Sequence, residues 1–211
     1  MDTTTLAAFL AVDLLLVVTP GADWAYAISA GLRGRSVVPA VTGLLVGHTA
    51  YALAAVAGLA VIMASSPTAL TVLTAAGAGY LLWLGWGVLR QPTVPAAAGE
   101  SAAAGGSAAA SRVQVMLKGA GTSGLNPKAL LLYFSLFPQF IEPATGWPVA
   151  AQTGLLSTVH LTACAVVYLT VGVLARTLLS TRPSAARAVT RVSGAMMLLI
   201  GALLLAECLA G

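Results

Sequence analysis

Charged side chains are scarce in this chain of 211 residues, where they make up 8% of positions. Soluble domains carry about 25% charged residues. Hydrophobic residues account for 59% of the sequence. This composition excludes a soluble domain, and the length leaves room for about six membrane spans of roughly 20 apolar residues each.

Cysteine is also rare. Cys164 and Cys208 both lie in apolar runs, without the spacing of a disulfide framework or a metal site. We therefore expect no metal and no cofactor.

The net charge of +4 does not indicate nucleic-acid binding, because the cations lie in short gaps between apolar runs. The N-terminus lacks the basic segment of a signal peptide, so we expect the first apolar run to be retained.

The apolar pattern predicts an all-α integral membrane protein with six transmembrane helices. Its spans lie at about 6–29, 37–63, 68–89, 113–137, 149–175 and 188–209. A segment rich in Ala, Gly, Ser and Pro follows the third span and is typical of a flexible linker. The predicted organisation is a three-helix repeat at 1–90, a cytoplasmic linker at 91–111 and a second three-helix repeat at 112–211.

The cations predict the orientation. Of the ten Lys and Arg residues, all except Lys128 fall in gaps that share one side if both termini face outward. The positive-inside rule makes that side cytoplasmic. We therefore expect a multi-pass protein of the plasma (inner) membrane with both termini outside. Because each half has three spans, the second repeat is inverted relative to the first.

Two breaks interrupt the first and fourth spans, Thr19-Pro20-Gly21-Ala22-Asp23 and Leu125-Asn126-Pro127-Lys128. Paired broken spans in corresponding positions point to the substrate site of a transporter. Thr and Asn are good N-caps, and Pro is favoured at the first helical position. Each break therefore predicts a half-helix whose free N–H groups suit a carboxylate. The alternative is two ordinary proline kinks.

Ionisable residues inside the spans sharpen this hypothesis. Lys128 lies deep in a span, where a charge costs about 2.5–3.5 kcal/mol or more, so it needs a partner in the protein or the substrate. Two acids are available as that partner, Asp13 and Asp23. Asp13 is either a proton or amine site or an interfacial residue. Asp23 either binds the substrate or only balances the helix dipole. His48 and His160 occupy matching mid-span positions and either relay protons or hold helices together.

With these residues in view, the chain resembles the lysine exporter (LysE) superfamily, particularly its homoserine/threonine-resistance (RhtB-type) branch. Ala22 stands where the family's Thr-Pro-Gly-Pro motif has its second proline. The resemblance implies six helices, a plasma-membrane location and efflux of amino acids or close derivatives by proton exchange. It rests on Thr19-Pro20-Gly21 with Asp23, Gly31-Leu32-Arg33-Gly34-Arg35, Gly77-Ala78-Gly79-Tyr80-Leu81, Asn126-Pro127-Lys128-Ala129, Phe137-Pro138-Gln139-Phe140, Gly194 and Gly201.

The sequence therefore predicts a secondary exporter of a small zwitterionic amino acid, with protons and the lipid bilayer as further partners. It leaves the oligomeric state open, a homodimer included. The alternatives are a channel and a non-transporting assembly subunit; an enzyme is not expected, because no catalytic cluster stands out. The predicted substrate-binding residues are Thr19, Pro20, Gly21, Asp23, Asn126, Pro127 and Lys128, and the proton-coupling candidates are Asp13, His48 and His160.

Overall fold

The structure is a computed structural model that describes residues 1–32, 36–65, 67–90, 111–175 and, in the last span, 191–192, 195, 198–203 and 205–206. These residues form helices and short connections, and no strand occurs among them. The predicted linker lies outside the described residues except at Ser111. Arg33 and Arg35 also lie outside them, as does much of the predicted sixth span.

The first span is broken, as the sequence predicts. Helices α1 (Thr3–Val18) and α2 (Ala22–Leu32) meet at an angle of 56°. The predicted capping role of Thr19 is wrong, because its hydroxyl donates to the Leu15 carbonyl at 2.7 Å. A Thr hydroxyl competes for the carbonyl one turn back, and here that bond ends α1 instead of starting α2.

The fourth span is broken as well. Helix α5 runs over Arg112–Gly124 and α6 over Pro127–Leu131. The Asn126 side chain accepts the backbone N–H of Lys128 at 3.1 Å, so the predicted N-cap followed by Pro127 is confirmed. A π-helical turn at Leu132–Leu136 and 3₁₀ turns at Phe137–Phe140 and Pro143–Thr145 follow. Turns of π type inside helical segments often mark functional sites.

Three longer helices complete the described structure: α3 (Val38–Ser65), α4 (Pro67–Arg90) and α7 (Val149–Leu174). Within the described residues, α7 and the Val38–Leu59 part of α3 are long and apolar enough to cross a membrane. The bent pair α1–α2 forms a third such span if it is counted as one. The protein is thus all-helical, with two or three candidate membrane spans in its described part.

Helix α3 lies at the centre and packs on α5 and α7. Its contact with α5 is made at the level of the backbone, since a Cβ on Gly43 would lie 2.2 Å from the Met116 carbonyl oxygen. This close approach also constrains the position of His48, five residues further along α3.

Candidate functional site

The two helix breaks meet in the interior of the protein. The Asn126 amide donates to the Asp23 carboxylate at 3.1 Å. The Lys128 ammonium donates to the backbone carbonyl of Thr19 at 2.9 Å. The break in the fourth span therefore donates two hydrogen bonds to the break in the first span.

Asp23 projects from the first turn of α2 and is 4% exposed. One of its oxygens, Oδ2, accepts from three donors: His48 Nε2 at 3.2 Å, the Asn126 amide at 3.1 Å and the Tyr168 hydroxyl at 3.1 Å. The other, Oδ1, is buried and has no hydrogen-bond partner among the described residues. One oxygen of this carboxylate is therefore held by three donors, while the other keeps its capacity to accept a hydrogen bond.

Asp13 forms a second acid–histidine pair. Its Oδ1 lies 2.6 Å from Nδ1 of His160, while Oδ2 is buried without a partner among the described residues. Asp13 is fully buried among the helices. Helix α1 is covered here by α7 rather than by the membrane surface.

The two pairs join into one chain of contacts, because His160 Nε2 lies 3.2 Å from His48 Nδ1. Two neutral imidazoles offer two N–H groups for the three contacts between Asp13, His160, His48 and Asp23. With both carboxylates ionised, one contact would then set two lone pairs against each other. One additional proton, wherever it resides, makes all three contacts hydrogen bonds.

Lys128 completes the charge inventory of this cluster. Among the described residues, the acid–base contacts within 4.0 Å are His48–Asp23 and His160–Asp13, so Lys128 touches neither acid. Two carboxylates and one ammonium leave a deficit of one positive charge. The additional proton required by the hydrogen-bond chain removes that deficit.

The remaining predicted site residues belong to the backbone of the two breaks. Pro20, which is buried, and Gly21 link α1 to α2, and the Gly21 carbonyl accepts the Ala25 N–H at 3.0 Å. Pro127 opens α6. The structure thus brings all ten predicted site residues to one region, where the two breaks face α3 and α7.

A cavity of about 10 Å³ lies in the cluster, with Asp23, His48, Lys128 and His160 among its lining residues. That volume holds about one water molecule and cannot hold an amino acid. The conformation is therefore closed around the cluster, and a larger ligand requires the helices to part. A groove of about 360 Å³ between α1 and α7 is lined mostly by apolar side chains, which suit lipid contact.

Three residues of this region escaped the sequence analysis. Tyr168 binds Asp23, and Cys164 Sγ lies 3.4 Å from His160 Nε2. Both follow His160 at four-residue intervals, which places all three on one face of α7. This spacing could have indicated Cys164 and Tyr168 as neighbours of His160. Tyr133, in the π turn, is fully buried with its ring edge-to-face on His160 at 5.3 Å, and no sequence spacing indicates that contact.

Comparisons with known proteins identify a family model and several relatives. The family model for "LysE type translocator" matches residues 14–208. A leucine efflux protein from Enterobacter sp. (strain 638) is 32% identical over 134 residues, 60% of this chain and 59% of that protein. A homoserine/homoserine lactone efflux protein from Salmonella typhimurium is 29% identical over 203 residues, 93% of this chain and 94% of that protein. No solved structure gives a significant match.

Proposed function

Because the chain belongs to the LysE type translocator family, we propose that it is a secondary exporter of a small amino acid, driven by proton exchange across the plasma (inner) membrane. The family match and the efflux relatives confirm the predicted resemblance and the prediction of a transporter rather than an enzyme. The relatives' names favour a neutral amino acid or a close derivative as the substrate.

The observation that carries the proposal is a pair of opposite charges that share a cavity without touching each other. Asp23 and Lys128 come from different breaks, and both line the same small cavity. Asp23 keeps one carboxylate oxygen without a partner among the described residues, and Lys128 donates to a backbone carbonyl. A zwitterion satisfies both charges, with its amine on Asp23 and its carboxylate on Lys128.

Proton exchange is supported by the chain of contacts from Asp13 to Asp23. In our proposal the substrate amine and the additional proton compete for the Asp23 end of this chain, because each places a positive charge beside the same carboxylate and the two positive charges repel each other. Binding of substrate releases the proton, and return of the proton releases substrate. This competition is the differential interaction that exchange transport requires.

We further propose that the described helices belong to six spans arranged as two inverted repeats. His48 and His160 occupy equivalent positions in the two sequence halves. His48 Nδ1 lies 3.2 Å from His160 Nε2. Equivalent residues meet where they lie close to a two-fold axis. The pseudo-symmetry supports placing the substrate site at the interface between the repeats.

Counterflow in proteoliposomes tests the proposal. Vesicles loaded with unlabelled leucine, homoserine or threonine should accumulate the same labelled amino acid transiently, and an imposed pH gradient should drive net accumulation. A carrier gives saturable counterflow, whereas a channel gives flux without counterflow. Absence of both counterflow and flux for a broad amino-acid panel would instead favour a non-transporting subunit.

A further inference from the structure

We infer that His48, His160 and Cys164 form a binding site for a transition metal ion of borderline softness, represented by Zn²⁺. One ligand atom from each side chain lies within 4.8 Å of the other two. His160 Nε2 is 3.2 Å from His48 Nδ1 and 3.4 Å from Cys164 Sγ. All three residues are buried.

Two of these separations are close to those of ligands around a tetrahedral zinc ion. Zn–N bonds of about 2.0–2.1 Å and a Zn–S bond of about 2.3 Å place two nitrogens about 3.3 Å apart. The same bonds place a nitrogen and the sulfur about 3.6 Å apart. The observed 3.2 and 3.4 Å require shifts of a few tenths of an ångström. The third separation, between His48 and Cys164, lies within 4.8 Å, and rotation of the Cys164 side chain has to bring it to about 3.6 Å. Thiolate and imidazole ligands together suit Zn²⁺ and Co²⁺.

The outer atoms of the two imidazoles are already arranged as metal sites require. Metal-ligating histidines donate their other N–H to a carboxylate or carbonyl, which fixes the tautomer. Here His160 Nδ1 faces Asp13 at 2.6 Å and His48 Nε2 faces Asp23 at 3.2 Å. Donation to both acids leaves the two inner nitrogens with lone pairs directed at each other. A cation between them resolves that repulsion.

The charges balance as well. On binding, the Cys164 thiol gives up its proton to become a thiolate, and Zn²⁺ replaces the additional proton between the imidazoles. The thiolate, Asp13 and Asp23 then carry three negative charges, which Lys128 and Zn²⁺ neutralise. Both histidines also line the cavity of about 10 Å³, which has room for one water molecule as a fourth ligand.

Metal binding has a consequence for transport that rests on the proposed function. A metal would bind Nδ1 of His48 and Nε2 of His160. These two atoms form the central contact of the hydrogen-bond chain from Asp13 to Asp23, so a proton could no longer pass between them. Zn²⁺ should therefore block accumulation driven by a pH gradient. The metal site itself does not depend on that function.

Cobalt substitution tests the site directly in the full-length protein purified in detergent. Titration with Co²⁺ should produce the sulfur-to-cobalt charge-transfer band of a thiolate complex, and Zn²⁺ should abolish it. Cys164→Ser should eliminate the band, while the matched control Cys208→Ser should keep it. Asp13→Asn should weaken binding by about 10- to 100-fold, the usual effect of losing an outer carboxylate.

The outcomes separate the metal site from the proposed function. Absence of the band in the wild-type protein, or its persistence in Cys164→Ser, overturns the site. If the cobalt complex shows the expected variant pattern but Zn²⁺ does not inhibit pH-driven transport, the metal site stands. The proposal that the hydrogen-bond chain from Asp13 to Asp23 carries the coupling proton is then refuted. If the protein binds Co²⁺ as expected but transports no amino acid, the function fails and the site stands.

Discussion

At the scale of single residues, the most informative feature is that Asp23, which is buried, and Lys128, which is partly buried, line the same small cavity and yet do not pair. Leaving opposite charges apart in a low-dielectric interior is costly, and a ligand that satisfies both recovers that cost. The Asp–His pairs explain why Asp13 and Asp23 are stable where they lie. Lys128 has only a backbone carbonyl as partner in the described structure.

Lys128 should therefore contribute strongly to substrate binding. Hydrogen bonds to charged groups are worth about 1.5–3 kcal/mol, so Lys128→Ala and Lys128→Gln should weaken binding of the amino acid by about 10- to 100-fold. Lys128→Arg should rescue poorly, because the head group differs in shape. Equilibrium binding of labelled substrate to purified protein measures these changes, with a carboxyl-amidated analogue as the less affected control.

A double-mutant cycle distinguishes this role from a structural one. If Lys128 only balances a buried acid, Lys128→Ala combined with Asp23→Ala or Asp13→Ala should recover export. Recovery in either double variant would refute the carboxylate-binding role.

Asp13 should matter for coupling more than for binding. It lies at the far end of the hydrogen-bond chain from Asp23, so Asp13→Asn breaks proton passage while leaving the substrate charges in place. We expect counterflow to persist and accumulation driven by a pH gradient to be lost. Glu142→Gln is the control, because the Glu142 carboxylate accepts a hydrogen bond from the Thr5 hydroxyl and does not belong to the hydrogen-bond chain from Asp13 to Asp23. Gradient-driven accumulation at the wild-type rate in Asp13→Asn would exclude the coupling role.

At the scale of helices, the close contact of α3 with α5 holds the site together. This contact places His48 beside the broken fourth span. Glycine is required where backbones approach this closely, whereas several glycines elsewhere in the helices have open space around them. A Cβ on Gly79, for example, would meet nothing within 4 Å.

Gly43→Ala should therefore destabilise the protein by about 1–3 kcal/mol, the usual cost of overpacking. The physical reason is the separation of 2.2 Å between the added Cβ and the Met116 carbonyl oxygen. Gly79→Ala adds the same methyl group without a clash and should leave stability unchanged or raised. Thermal unfolding of the two variants in detergent measures the difference, and equal midpoints would contradict the packing interpretation.

At the scale of the whole molecule, two contacts fix which segments share a side. Thr5 donates to Glu142, which places the N-terminal end of α1 beside the segment that precedes α7. The Tyr26 hydroxyl donates to the Val115 carbonyl at 2.6 Å, which places α2 beside the start of α5. The relative arrangement agrees with the positive-inside pattern, and the absolute orientation stays a prediction.

Cysteine labelling measures that orientation. In a variant without Cys164 and Cys208, Thr145→Cys should react with an impermeant maleimide in intact cells. Ser111→Cys should react only after permeabilisation. Both positions are exposed, so a difference in labelling reports sidedness rather than burial. The reversed pattern would refute the proposed orientation with both termini outside.

The sequence by itself determined the features that depend on local chemistry. Apolar composition predicted a helical membrane protein, and the Asn126-Pro127 pair predicted a capped helix start because both preferences act within one turn. The same reasoning failed at Thr19, whose hydroxyl can bond either forward or back along the chain. The sequence singled out Lys128, Asp13 and Asp23 as candidate site residues because charges inside apolar runs are costly.

Only the tertiary structure decided which of these groups meet. Asp13 pairs with His160 across 147 positions and Asp23 with Asn126 across 103. Such contacts depend on the rotation and crossing of helices, which the position of a residue along its own helix does not specify. The joining of both acid–histidine pairs through His48 and His160, with Cys164 and Tyr168 beside them, therefore emerges only when α1, α2, α3 and α7 pack together.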